Sequence, residues 1–181
     1  LQNSADPRVW WGNPGGNALD NVHRQGAGML DIDDAILATT KIEPGKISVG
    51  EGESGPKTFT LTIENSDMNL VTYDLSFFNA LSSGGITWPI TFATSDASVA
   101  FDPSSVTVPG GGTASVDVTI FPATGPQFGQ YGGYIVFTPQ GGGLIYRVPF
   151  AGFVGDYQGI VAMTPTAYGF PWLAKLVGNT Y

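Results

Sequence analysis

The sequence predicts an all-β fold, a two-sheet sandwich of about seven strands behind a short irregular and helical N-terminal segment. Three observations carry this. Apolar and polar residues alternate with a period of two over much of the chain. Gly (26) and Pro (13) are plentiful and fall between the alternating runs. Charged residues make up only 12% of the 181 positions, whereas apolar residues reach 42%, enough to build a core.

The elements follow in chain order. In residues 1–40, WWGNPGGN is a loop and DDAILATT carries a short helical signal. Asp33 is the expected cap of that helix, Asp34 suits its positive end, and Ala35, Ile36 and Leu37 form its apolar side. From residue 41 to about 155 the chain reads as strand after strand. In KTFTLTIEN, Phe59, Leu61 and Ile63 alternate with threonines; in VTYDLSFF, Val71, Tyr73, Leu75 and Phe77 do the same. NSDMN is the turn between them. ITWPITF follows. Then Val106 and Val108 precede a Pro-Gly-Gly-Gly turn, with Val116, Val118 and Ile120 after it. GYIVFTP and LIYRVPFAGF flank QGGG as a hairpin. Seven strands at this spacing fit an immunoglobulin-like or fibronectin type III-like sandwich. Residues 158–181 form an apolar tail, a linker or the start of a further domain.

Composition also excludes functions. The formal net charge is -8 and no basic stripe exists, which argues against nucleic-acid binding. With no cysteine there is no disulfide, thiol nucleophile or thiolate metal site. No apolar run is long enough for a membrane-spanning helix.

Four features could carry chemistry. His23 is the only histidine and could act as a base beside Asp20 or Asp31, but no Gly-x-Ser-x-Gly elbow accompanies it. A structural hydrogen-bonding role is the better reading. Asp31, Asp33 and Asp34 cluster as calcium ligands do, yet DIDDAILATTKI lacks the glycine and the terminal acid of a calcium loop. Gly26-Ala27-Gly28 is not followed by the residues of a phosphate loop. Trp10, Trp11, Trp88, Tyr131, Tyr134 and Trp172 would bind glycans if they formed an exposed row; core packing is the commoner fate of such residues. No cofactor motif is present.

An ordered series of motifs adds a resemblance. LQNSADP at 1–7, the loop WWGNPGGNALD, QGAGML at 25–30 and DDAI at 33–36 resemble the end of the catalytic domain in large subtilisin-like serine proteases of the cell-envelope and minor extracellular type. VTVPGGGTASVDVTI (106–120), GQYGGYIVF (129–137) and YRVPFAGFVGDY (146–157) resemble the fibronectin type III-like domain that follows it in many of these enzymes. The family's Asp, His and Ser motifs do not occur here, so the resemblance carries over no catalytic residue and implies that this chain alone is inactive. It implies a remnant of the catalytic domain at 1–40 and a sandwich at 41–157. Asn21, His23, Gln25, Gly26 and Gly28 would form the joint to the protease domain. The implied setting is extracellular or cell-wall associated, and the implied partners are the rest of the parent protease and its protein or peptide substrates. The rival reading is a free-standing sandwich that binds glycans or acts in adhesion.

Overall fold

The computed structural model describes residues 1–84 and 90–160. Among them lie two short helices, α1 (Val22–Gln25) and α2 (Ile32–Leu37), and eleven strands. The strands are β1 (Thr40–Glu43), β2 (Ile47–Glu51), β3 (Lys57–Asn65), β4 (Val71–Asn79), β5 (Leu81–Ser83), β6 (Phe92–Thr94), β7 (Ser98–Asp102), β8 (Ser105–Val108), β9 (Thr113–Phe121), β10 (Gln130–Pro139) and β11 (Tyr146–Phe153). They form the expected sandwich. One sheet runs β1-β3-β9-β7; the other runs β2-β11-β10-β4-β8, with β5 beside β10 and β6 beside β5. All pairings are antiparallel except β2 with β11, where the register shifts at Ala151/Gly152.

The long strands, together with the short β8 that a Pro-Gly-Gly-Gly turn follows, are those that the alternation predicts. Leu61 and Ile63 of β3, Val116, Val118 and Ile120 of β9, and Val106 and Val108 of β8 point into one core. The further strands β1, β2, β5 and β7 are three to five residues long, too short for a periodic signal to emerge. Most of ITWPITF lies outside the described residues; only its last residue, Phe92, opens a strand. The same holds for Trp88 and Trp172 and for nearly all of the tail. The turn glycines act as expected: Gly111 and Gly142 adopt φ of 65° and 79°, which glycine reaches without steric cost.

Two features of the N-terminal segment differ from expectation. The helix cap is Asp31 and not Asp33: α2 begins at Ile32, and the Asp31 carboxylate accepts a hydrogen bond from the Asp34 amide at 3.0 Å. Nor does α2 bury an apolar side. Ile36 and Leu37 are 75% and 67% exposed, and no residue of the helix is buried.

Strand β10 explains where the segment sits. Seven consecutive residues of β10, Tyr131 to Phe137, are buried, so both of its faces are covered. Tyr131, Ile135 and Phe137 enter the main core, whereas Tyr134 faces out and forms a small second core with Val22 and Ala80.

Aromatic rings organise the main core. Tyr73 meets Phe137 and Tyr146 edge-on at 6.1 and 6.0 Å. Its hydroxyl bonds the Thr40 hydroxyl at 2.7 Å. Tyr131 is fully buried and its hydroxyl has no partner. Tyr131→Phe is therefore expected to stabilise the fold by about 1 kcal/mol, because it removes an unsatisfied buried group; chemical denaturation measures this.

Burial also holds the Tyr131 phenol at about 12, above the ordinary value of 10.0, and pushes Tyr134 up further. Below pH 10 the folded and unfolded chains both keep this proton, so the raised pKa costs nothing. Stability is lost as pH climbs through 10 toward 12, because the unfolded chain gives up its proton first. The expected result is a stability that falls by roughly 1.4 kcal/mol per pH unit for each of the two tyrosines above pH 10. Tyr131→Phe should flatten that slope, and a melting series from pH 8 to 12 reads it directly.

Candidate functional site

Of the five residues expected at a joint, Asn21, His23 and Gly26 bond to β10 or β11, whereas Gln25 and Gly28 hold the N-terminal segment to itself. Asn21 is the centre. It caps α1, its Oδ1 accepting from the His23 amide at 2.7 Å. Its Nδ2 donates to the Gln130 carbonyl of β10 at 3.2 Å, and the whole residue is buried. One side chain thus fixes both the helix start and its position on the sheet.

His23 is exposed on α1 and its Nε2 lies 3.2 Å from the Gly152 carbonyl of β11. A carbonyl only accepts, so Nε2 carries the proton in this contact. The partner is backbone, and among the described residues no serine hydroxyl or carboxylate bonds this ring to make a catalytic triad. Gln25 sews two stretches of the segment together. Its Nε2 donates to the Asp20 carbonyl at 2.7 Å and to the Arg8 carbonyl at 3.3 Å, and its Oε1 accepts from the Arg8 amide at 2.8 Å. Gly26 ends α1 with φ 61°, and its carbonyl accepts from the Tyr134 hydroxyl at 2.8 Å. Gly28 adopts φ 116°, and a Cβ there would collide with the Asp6 carbonyl. Its smallness lets Asp6 and Met29 exchange two backbone hydrogen bonds at 2.8 and 2.9 Å.

Several members of this joint were not foreseen. Asn3 exchanges hydrogen bonds with the backbone of Arg147 and accepts from the Ile42 amide at 3.0 Å. Arg147 in turn pairs with Asp6 at 3.0 Å. Val22 lies against Gly132, where a Cβ would sit 2.9 Å from the valine. The Gly-Gly pair of YGGY was a usable signal: glycine inside a central strand marks a close approach of another part of the chain.

The inner side of the segment is thus hydrogen-bonded to the sandwich. Its outer side is apolar and exposed, with Met29, Leu30, Ile32, Ile36 and Leu37 in close succession. No conserved chemistry is needed to see the contrast: one side is satisfied, the other exposes a run of large aliphatic groups to water.

The aspartates of α2 do not converge. The described carboxylates that do are Glu51, Glu53 and Asp156, whose ligand atoms lie within 4.8 Å of one another. The negative charge of Asp156, more than burial or Glu51, raises the Glu53 pKa above the ordinary range. The described aromatics do not form one row either. Tyr131 and Tyr134 are fully buried, and Trp10 meets Phe92 in a tilted contact at 5.0 Å, with Trp11 exposed at a loop tip.

Comparison with known proteins fits this architecture. Residues 47–151 match the family described as Fn3-like domain. The chain is 29% identical over 163 residues to the PI-type proteinase of Lactococcus lactis subsp. cremoris, covering 78% of this chain and 8% of that protein. It is 28% identical, with the same coverage, to the PIII-type proteinase of Lactococcus lactis subsp. cremoris strain SK11. The chain therefore spans about 8% of the length of the curated relatives it matches. Among solved structures, PapD-like domain 7 of human CEP192 aligns with a TM-score of 0.48 and 19% identity, over 65% of this chain and 86% of that one. The family match spans more than half of the chain and coincides with the strands from β2 to β11, so this chain belongs to the Fn3-like domain family.

Proposed function

We propose that this chain is a non-catalytic part of a secreted subtilisin-like serine endopeptidase, held outside the cell or at the cell wall, where it stabilises the protease domain. Residues 1–40 would complete the protease domain, and residues 41–157 would be the sandwich behind it. Residues 158–181 would lead on to a further domain. In this reading Asn21, His23, Gln25, Gly26 and Gly28 act as a mechanical joint: they fasten the segment to β10 and β11 and turn its apolar side outward.

The observation that carries the reading is the two-sidedness of residues 1–39. Hydrogen bonds from Asn3, Asn21 and His23 tie one side to the sandwich, while Leu30, Ile32, Ile36 and Leu37 stand exposed on the other. A short helix without a buried residue has little reason to persist unless something packs on it. The preceding protease domain is the partner that the relatives suggest. The positioning of protein substrates belongs to the same reading, since a rigid joint keeps the sandwich at a fixed place beside the cleft.

The test uses the parent enzyme. Ile32→Asp/Ile36→Asp in the full protein should shorten the half-life of peptidase activity on heating, while kcat/KM of the freshly prepared enzyme stays unchanged. An unaltered half-life would sink the docking role. The isolated chain is expected to hydrolyse no peptide; turnover blocked by a serine-directed inhibitor would overturn the non-catalytic assignment. A parent sequence without a serine-protease motif upstream of Leu1 would overturn the whole reading.

A further inference from the structure

A second feature lies apart from the joint and does not depend on the protease reading. Between the 10–19 loop, the end of β4 and β6 there is a cleft of about 470 Å³. Ala18 and Leu19 give it apolar wall, and Phe78 lines it with a ring that is 54% exposed. Asn17 and Thr94 supply an amide and a hydroxyl, and Asn79 completes the lining. None of the described residues lining the cleft is charged.

We propose that this cleft is a binding site for a neutral saccharide. A sugar ring has an apolar C–H face that packs against an aromatic ring, and hydroxyls that both donate and accept. Phe78 meets the first need, and the mixed donors and acceptors of Asn17 and Thr94 meet the second. A phosphate, sulfate or carboxylate would find no cation here to offset its desolvation.

Asn79 fixes one wall of the cleft. Its Nδ2 donates to the Ala97 carbonyl at 2.8 Å on the core side of β4, which holds the end of that strand in place beside Phe78.

The site is also pre-formed. The Trp10 amide bonds the Ala18 carbonyl at 2.9 Å, and the Gly16 amide bonds the Asn13 carbonyl at 3.1 Å. Trp10 packs at a tilt on Phe92 of β6, the strand that carries Thr94. Little ordering entropy remains to be lost when a ligand enters such a loop.

The experiment titrates the whole 181-residue chain with trimers of glucose, galactose and N-acetylglucosamine, following backbone amide resonances. At least one trimer is expected to shift residues 16–19, 78–79 and 94. Phe78→Ala and Thr94→Ala, both at the cleft surface, should each weaken that binding by about tenfold or more. Leu70→Ala, at the β3–β4 turn, should leave it unchanged. The proposal is overturned by no response to any trimer up to about 10 mM. Shifts mapping elsewhere, or binding that survives Phe78→Ala, would overturn it equally.

Discussion

Replacing Gly133 by valine is expected to cost about 4 kcal/mol or more and to lower the melting temperature by about 10 °C or more. Gly133 lies in the middle of β10, between Asn79 of β4 and Phe150 of β11. A Cβ there would collide with the Phe78 carbonyl and come within 2.7 and 2.9 Å of the Phe150 ring. The ring belongs to the fully buried core and the carbonyl to a central ladder, so neither can retreat. The control is Gly141→Ala in the β10–β11 turn, where a Cβ meets nothing within 4 Å and φ is not left-handed. It should melt within a degree or two of the parent. Calorimetry of the two variants decides the matter. A Gly133→Val protein that melts like wild type would mean that β10 does not occupy the centre of this sheet.

Asn21→Ala should loosen the N-terminal segment without unfolding the sandwich. The substitution removes the cap of α1 and the hydrogen bond to the Gln130 carbonyl, and leaves that carbonyl unpaired beneath the segment. Together these cost about 2–3 kcal/mol. The cost falls locally, because Val22, Leu19 and the Tyr134 hydroxyl are the other main ties to β10. Limited proteolysis reads the result. In the wild-type chain the first cut within residues 1–39 is expected in the exposed stretch from Trp11 to Gly16. In Asn21→Ala, cleavage throughout 1–39 should run about 30- to 150-fold faster, while fragments from within 40–153 stay rare. Asn21→Asp keeps the capping oxygen and loses only the donor to Gln130, so it should fall between the two. Cleavage inside the sandwich as early as in the segment would contradict a locally fastened joint.

The two variants probe different kinds of information. Gly132 and Gly133 sit in GQYGGYIVF, a stretch whose alternation breaks down into an unbroken buried run. From sequence this is a strong strand. The reason for the glycines appears only when Val22 and Phe150 are found against them. Likewise QGAG was singled out through its place in an ordered series of motifs. That Gly26 offers its carbonyl to Tyr134, 108 residues away, was not. Nor was the role of Asn3 and Arg147, whose contact spans 144 positions and leaves no local pattern.

The sequence by itself determined the class of fold, because strand alternation and turn glycines are local properties. Period-two burial in β3 and β9, the Gly111 and Gly142 turns, and the helix signal near residue 33 all follow from neighbours in the chain. It also determined that catalytic motifs are missing. Only the tertiary structure decided which side of each element is covered. The aspartate that caps α2, the exposure of Ile36 and Leu37, and the burial of Tyr131 and Tyr134 depend on segments far away in sequence. So does the cleft formed by Phe78, Asn79 and Thr94. Apolar residues are read from composition as candidates for the interior, but burial is a property of pairs of surfaces, and the second surface is set by topology.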